Sequence, residues 1–201
     1  MCGAASGIAA TPSGADTRVL TVGSSGDYQY RTINAAVNAA DADPNTGNYY
    51  DVQVAPGTYT NDFPVVTRPM TIEADPKRVG KPVLLKATVP LPNQKGIVLT
   101  FASLTVDGLG FMGAMIDNSL GGNGAGIRDQ NTAEGAALVV RNSVFIDNQE
   151  GILTGEDAGE TITVTNSKFA NNGNPDPRYF QHALYVNHAG RLTVSGCFAD
   201  N

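Results

Sequence analysis

The sequence predicts an all-β solenoid, a parallel β-helix that carries one short amphipathic helix near its N-terminus. Three observations favour this class: a repeat of strand-sized units in the C-terminal half, period-2 alternation within each unit, and an unusual composition. The 201 residues include 23 Gly and no Trp, and only 16% are charged. Gly and Asn tolerate the positive φ of tight turns, so this composition suits many short strands joined by turns. A chain of this length can form one domain with a sizeable core.

The N-terminal half supplies the helix and the first strands. Alternating segments near 19–22, 51–54, 64–67 and 70–74 indicate strands. Between the first two, Ile33, Ala36, Val37 and Ala40 form one apolar stripe at helical spacing, and Thr32 is a suitable N-cap. We expect this helix to cover the first coil, which would otherwise expose apolar side chains and strand edges.

Three C-terminal segments repeat the same unit. "ALVVRNSVFIDNQEGILTG", "TITVTNSKFANNG" and "RLTVSGCFADN" each contain a strand ending in Val, a polar turn, a Phe, and an Asn three residues after the Phe. An earlier relative, "SLTVDGLGFMGAMID", carries Phe111. A unit of this size buries its apolar face only by stacking on its neighbours, in parallel strands about 4.8 Å apart. We therefore predict two internal columns: Phe111, Phe145, Phe169 and Phe198 stacked, and Asn148, Asn172 and Asn201 in an amide ladder.

Most positions of the last stretch, "HALYVNHAGRLTVSGCFADN", are predicted to be structural. Alternation predicts that one set of side chains points inward: Leu184, Val186, Leu192, Val194 and Phe198. No cap follows this coil, so either the solenoid continues in a longer chain or its open end pairs with other chains. The expected organisation is a flexible leader over 1–17 and a β-helix domain over 18–201.

The stretch "DYQYRTINAAVNAA…DVQVAPGTY…MTIEAD" resembles the N-terminal region of single-stranded right-handed parallel β-helix proteins of the pectin-lyase-like superfamily, and especially of pectin methylesterases. The "SxF..N..GI" units resemble the generic repeats of the same superfamily. This resemblance implies a bacterial protein that is secreted, periplasmic or on the cell surface and that acts on or binds a polysaccharide. The "QDTL" and "DFIFG" contexts of the esterases are absent, so esterase activity is not expected.

The net charge and the hydropathy of the chain argue against two classes of partner, nucleic acid and the membrane interior. The net charge of −6 argues against nucleic acid, whose phosphates need a basic surface. No apolar run is long enough to cross a membrane, and no signal peptide is visible. Cys2 directly after Met1 resembles the mature start of a bacterial lipoprotein, although an ordinary cysteine in a floppy leader is the simpler interpretation. Cys2 and Cys197 lie at opposite ends of an elongated fold, so no disulfide is expected between them.

The repeat alignment predicts one functional groove. Superposing "GIRDQ", "GILTGE" and "ALYVNH" puts Arg128, Leu153 and Tyr185 in one outward column. The neighbouring columns place Glu150 beside His182 and Glu156 beside His188. The insertion "GNPDPRYFQ" adds Arg178 and Tyr179, because long insertions on a solenoid often form the wall of the binding face.

These side chains suit a sugar acid. Guanidinium groups pair with carboxylates and aromatic rings stack on sugars. We assign candidate catalytic roles to His182, Tyr185, Arg128 and Arg178, with His182 or Tyr185 as general base or acid. Candidate substrate-binding residues are Tyr179, His188, Glu150 and Glu156. Ordinary solvated strand faces carry the same residue types, so a purely structural role is the alternative.

No metal ligand is assigned, although Ca²⁺ is a candidate cofactor. Lyases of this fold often use Ca²⁺ to neutralise a uronate. The turns "DADPN" and "GEDAGE" supply hard oxygen ligands, but both are interpreted more simply as solvated acidic turns. The predicted function is therefore binding or processing of an acidic polysaccharide, lyase-like or epimerase-like if catalytic. The alternatives are a non-catalytic carbohydrate-binding or adhesion module, and a structural solenoid that self-associates through its open end.

Overall fold

A computed structural model describes residues 16–173 and 182–200. The strands form three parallel sheets, named here A, B and C. Sheet A contains β1 (Thr17–Val22), β2 (Tyr49–Val54), β5 (Met70–Ala74), β8 (Leu104–Asp107), β11 (Ala137–Arg141), β14 (Glu156–Thr165) and β17 (His188–Ser195). Sheet B contains β3 (Gly57–Thr60), β6 (Val83–Lys86), β9 (Leu109–Met112), β12 (Val144–Ile146), β15 (Lys168–Ala170) and β18 (Phe198–Asp200). Sheet C contains β4 (Val65–Val66), β7 (Gly96–Thr100), β10 (Ala125–Asp129), β13 (Glu150–Thr154) and β16 (Leu184–Tyr185).

Each coil contributes one strand to each sheet before the next coil begins. From β2 to β16 the chain visits sheets A, B and C in that order five times, and β17 and β18 then follow on sheets A and B. Every strand pair is parallel, so the predicted parallel β-helix is confirmed. The predicted early strands correspond to β1, β2, β4 and β5, although β4 is shorter than expected.

The helix α1 (Ile33–Asp41) covers the first coil as predicted. Its apolar stripe is fully buried and contacts β1, β2 and β4. Thr32 caps the helix by accepting a hydrogen bond from Ala35 N at 3.1 Å. Asp62, from the loop after β3, adds a second cap by accepting from the backbone N–H groups of Ile33 and Asn34 at 2.6 and 2.9 Å. The helix is therefore tied to the coil that it covers.

The phenylalanine stack forms over three coils. The ring centroids of Phe111 and Phe145 are 5.0 Å apart, those of Phe145 and Phe169 are 4.8 Å apart, and both pairs are nearly parallel. Small residues in sheet C make room for these rings. A Cβ on Gly126 would lie 2.8 Å from the Phe145 ring, and one on Gly151 would lie 2.8 Å from the Phe169 ring. The same Cβ would also lie 2.8 Å from Gly151 O at position 126 and closer still to Ala183 O at position 151. The glycine of the "SxF..N..GI" unit is therefore required both by the aromatic column and by the backbone of the next coil.

The amide ladder also forms. Asn148 Nδ2 donates to Asn172 Oδ1 at 3.0 Å and to Phe111 O at 3.1 Å, while its Oδ1 accepts from Ala114 N. Asn172 Nδ2 donates to Phe145 O at 3.0 Å. Both amides are buried, and these bonds offset the cost of burying them. Asn201, the third predicted member, lies outside the described residues.

The prediction that Phe198 continues the stack is wrong. Sheet B pairs Phe169 with Ala199 and Lys168 with Phe198, so Phe198 faces outward and is 58% exposed. The cause is spacing, because Phe169 follows Val164 by five positions whereas Phe198 follows Val194 by only four. Cys197 packs against the core instead. Its Sγ donates to Ser195 O, the carbonyl two residues earlier. The hydroxyls of Ser143 and Ser167 make the same bond in the two preceding units.

Leu192 and Val194 occupy inward positions, since they pair with the buried Ile162 and Val164. They are nevertheless 47% and 49% exposed, because β17 is the last strand of sheet A in the described part of the chain. Leu184 and Val186 are partly buried against the core. The surface formed by β16, β17 and β18 is called the end face below.

The structure describes only part of the leader predicted from the sequence. β1 begins at Thr17, so the ordered strand starts inside the predicted leader of 1–17. Residues 1–15 of that leader lie outside the described residues, and so does Cys2, whose position resembles a lipoprotein start. Among the residues that are described, no helix is long and apolar enough to span a membrane.

Candidate functional site

The outward surface of sheet C carries a polar groove, called the sheet-C groove below. Its volume is about 380 Å³. It is lined by Gly121, Asn123, Arg128, Glu150, Leu153, Thr154, Gly155, His182, Tyr185 and Asn187. Four of the predicted site residues are therefore brought together: Arg128, Glu150, His182 and Tyr185. Their functional roles stay predictions.

The register of sheet C creates the central column of this groove. Arg128 pairs with Leu153, and Leu153 pairs with Tyr185, as the repeat alignment predicted. Their neighbours Ile127, Ile152 and Leu184 alternate to the inside of the coil. The column therefore presents a guanidinium, an apolar side chain and a phenol at successive steps along the solenoid axis.

Glu150 is the most unusual group of the groove. Its side chain is only 3% exposed, Oε2 accepts from His182 N at 2.7 Å, and Oε1 lies 3.7 Å from His182 Nδ1. Burial raises the pKa of Glu150 to about 7, although the His182 N–H and the Arg128 charge oppose that rise. A carboxyl that titrates near neutrality can either donate or accept a proton there.

His182 and Tyr185 form the open side of the groove. Their ring centroids are 5.2 Å apart with a tilt of 47°. The His182 side chain is 43% exposed, and Tyr185 is 38% exposed. Both rings can therefore reach a ligand, while Glu150 contacts the imidazole from the buried side.

Arg128 is half-buried beside them. Burial lowers the pKa of its guanidinium, and the charges of Glu150 and Asp129 oppose that change. With the Gln130 amide oriented to satisfy both of its groups, its oxygen accepts from Arg128 Nε at 3.3 Å and from Nη2 at 3.2 Å. This bond positions the guanidinium and leaves some of its N–H groups for a ligand anion.

Two other predicted site residues, Glu156 and His188, lie outside this groove. Glu156 and His188 pair across sheet A, with Oε1 3.7 Å from Nδ1, and both side chains are well exposed. His182 precedes β16 of sheet C whereas His188 begins β17 of sheet A, so the two imidazoles belong to different sheets. Arg178 and Tyr179 lie outside the described residues. Within the described residues, no three acidic, histidine or cysteine side chains are arranged to hold a metal ion.

The two acidic turns differ from their sequence-based interpretation. In "DADPN", Asp43 is saturated by hydrogen bonds from Asn45 N, Asn48 Nδ2 and the Tyr50 hydroxyl, which hold its pKa well below the usual range. In "GEDAGE", Glu156 is exposed, but Glu160 is 1% exposed and points into the coil. The interpretation of this second turn as wholly solvated is therefore wrong.

Sequence reasoning missed a second polar cluster on the outer surface of sheet A. Gln53, Glu73, Asp107 and Arg141 pair in register on four successive strands. Arg141 Nε donates to Asp107 at 2.7 Å, so Asp107 is braced by an ion pair rather than being a free turn residue. Burial raises the pKa of Glu73, as do the neighbouring negative charges. These residues fall one per coil, which is a signal that only a register-accurate alignment could detect.

The basic run "PKRVGKPVLLK" borders a separate concavity of about 960 Å³ near the N-terminal coils. Lys77, Arg78 and Lys81 line it, but so do Asp27 and Asp75, and Arg78 lies 3.6 Å from Asp75. The mixed charges of this wall do not single out an anion as its ligand.

No protein-family model matches the chain, and no curated protein matches it. Among solved structures, the pectin methylesterase from Aspergillus niger, in a deglycosylated form, aligns with a TM-score of 0.40 and 14% identity. That alignment covers 96% of this chain and 86% of the other.

Proposed function

We propose that the sheet-C groove binds an acidic polysaccharide and acts on it as a lyase or an epimerase. The observation that carries this proposal is Glu150, a buried carboxyl with a pKa of about 7 in contact with His182, in a groove that also holds Arg128 and Tyr185. The groove is large enough for a short stretch of a sugar chain, since small-ligand sites measure roughly 300–1,000 Å³.

Each polar side chain of the groove has a separate role in this proposal. Arg128 pairs with the uronate carboxylate, and Tyr185 and His182 contact the sugar ring. Proton abstraction beside a carboxylate builds negative charge, which Arg128 stabilises. His182 or Tyr185 exchanges the proton, and Glu150 orients the imidazole from below. In a lyase the glycosidic C–O bond then breaks as the C=C bond forms, and the leaving oxygen takes up a proton from His182 or Tyr185. In an epimerase that bond stays intact and a proton returns to the same carbon from the opposite face.

The test uses pectate, alginate and other uronans, each with and without Ca²⁺. Unsaturated product detected by ultraviolet absorbance indicates a lyase, and altered uronate stereochemistry detected by NMR indicates an epimerase. Binding without either product favours a carbohydrate-binding module. The absence of both binding and product on every uronan overturns the proposal.

A single variant locates the site. We expect Arg128→Gln to weaken uronan binding about 10-fold to 100-fold, because one buried charge-assisted pair contributes about 1.5–3 kcal/mol. Arg141→Gln is the matched control, since Arg141 lies on sheet A and pairs with Asp107. Titration calorimetry measures both. Equal losses in the two variants would place binding elsewhere.

A second candidate function rests on the end face. Leu192, Val194 and Phe198 expose apolar surface there, beside edges of β16, β17 and β18 that pair with no further strand among the described residues. Such an edge is a template for further strand pairing, so we propose self-association through this surface as the alternative to sugar chemistry.

Sedimentation velocity tests this alternative. We expect the parent chain to form larger species as its concentration rises, and we expect Leu192→Glu to abolish them because a charge cannot be buried in the junction. Val89→Glu is the control, since Val89 is comparably exposed at 45% but lies in the loop after β6, four strands away from β18 in sheet B. A monodisperse parent chain at all concentrations contradicts this function.

A further inference from the structure

Two acidic side chains meet inside the coil, beneath the sheet-C groove. Asp129 ends β10, directly after Arg128, and Glu160 lies within β14. Each side chain is 1% exposed. Asp129 lies two positions from the buried Ile127, and Glu160 lies two positions from the buried Ile162, so each acid shares the inward side of its strand. The backbone holds Asp129 firmly, since its carbonyl accepts from Gly155 N at 2.7 Å. Asp129 and Glu160 are called the lumen acid pair below.

If both groups are ionised, their carboxylate oxygens outnumber the hydrogen-bond donors that reach them. Asp129 Oδ1 accepts from Asn131 N at 2.9 Å, but Asp129 Oδ2 and Glu160 Oε1 are buried and receive no donor from the described residues. The two carboxyl groups lie close enough for each to shift the pKa of the other as a side-chain hydrogen-bond partner. Two carboxylates offer only acceptors, so this contact needs a proton between them. An unpaired buried carboxylate would be strongly unfavourable.

The charges around the pair favour keeping that proton. Asp157, also on β14, adds negative charge near both carboxyls, and Arg128 is the cation that acts on Asp129. Thr154, which pairs with Asp129 between β13 and β10, carries no charge, and neither does Asn131, which lies in the loop after β10. Burial raises the pKa of both members, and the mutual hydrogen bond raises that of Glu160 further.

We propose that Asp129 and Glu160 share one proton in the folded chain across neutral pH, and that losing it loosens the coils that carry the groove. The structure thus contains an acid-stabilised device that does not depend on the function of the groove. In the unfolded chain the same carboxyls release their protons near pH 4. Above that pH the folded state holds one more proton than the unfolded state, so stability falls as pH rises until the pair also ionises.

Denaturant unfolding at a series of pH values from acid to mildly alkaline tests the proposal. Each pH unit over which only the folded state keeps the proton lowers the folding equilibrium constant by up to about tenfold. In Glu160→Gln the amide donates to Asp129 at every pH, so we expect this variant to lose that part of the slope and to exceed the parent chain in stability at alkaline pH. Glu134→Gln is the control, because Glu134 is exposed in the neighbouring loop. Other buried carboxyls, Glu150 included, contribute equally to both chains and cancel in the comparison.

Three results would overturn the proposal. The first is an unchanged slope in Glu160→Gln. The second is Ca²⁺ restoring alkaline stability to the parent chain but not to this variant, which would show that the pair holds a cation instead of a proton. The third applies even if the variant fails to fold: infrared spectra of the parent chain at neutral pH that lack a protonated-carboxyl band, because the proposal requires one.

Discussion

Replacing Phe145 by Ala is expected to lower the free energy of unfolding by about 3–5 kcal/mol, enough to unfold a marginal domain. Phe145 is fully buried at the centre of the aromatic column, with ring neighbours on both sides at 5.0 and 4.8 Å. The variant loses apolar burial and two stacking contacts, each contributing about 0.5–1.5 kcal/mol. The cavity cannot collapse easily, because the nearby Gly126 and Gly151 are held by the backbone hydrogen bonds of sheet C.

Chemical denaturation with tryptophan-independent detection, such as far-ultraviolet circular dichroism, measures this loss. Phe198→Ala is the matched control, since Phe198 belongs to the same sequence motif but lies outside the coil over Lys168. We expect the control to change stability by less than about 1 kcal/mol. Similar losses in the two variants would mean that the column is not what holds the coils together.

The contrast between these two phenylalanines shows what a repeat motif predicts. The spacing within the motif sets the register, so the motif predicts the positions of Phe145 and Phe169, which both follow the preceding Val by five positions. The last unit is one position shorter, and a shift of one residue moves a strand side chain to the opposite face. The motif letters alone do not show this change, because Phe and Asn still occur in the same order.

The groove was predictable for a related reason. Outward positions follow from inward ones by alternation, so aligning Ile127, Ile152 and Leu184 was enough to bring Arg128 and Tyr185 together. The burial of Glu150 was not predictable, since it depends on how the backbone of His182 approaches the carboxylate. The lumen acid pair was missed because Asp129 and Glu160 lie about thirty residues apart and belong to different sheets.

Position 150 offers a test in which stability and activity move in opposite directions. Glu150→Gln keeps the size of the side chain and an oxygen that can accept from His182 N. The folded pKa of Glu150 is raised from 4.5 to about 7, so its ionised form destabilises the fold. The contribution of Glu150 to stability is therefore complete below pH 4.5, falls as pH rises toward 7, and stays constant above that. A shift of this size corresponds to about 3 kcal/mol.

We accordingly expect Glu150→Gln to be more stable than the parent chain at pH 8, by up to about 3 kcal/mol, and to have a flatter stability profile between pH 4.5 and 7. If the groove performs proton transfer on a uronan, the same variant loses about 10²–10⁴-fold in rate, because Glu150 no longer orients the His182 imidazole. The part of the step near pH 7 that belongs to Glu150 also disappears from its pH–rate profile. Unfolding curves and product assays on one preparation measure both effects.

A variant that is less stable at pH 8 would contradict the destabilising burial of the charge. A more stable variant with unchanged rate would leave Glu150 as a structural residue, because a group that weakens the fold is explained by function only when its removal impairs function.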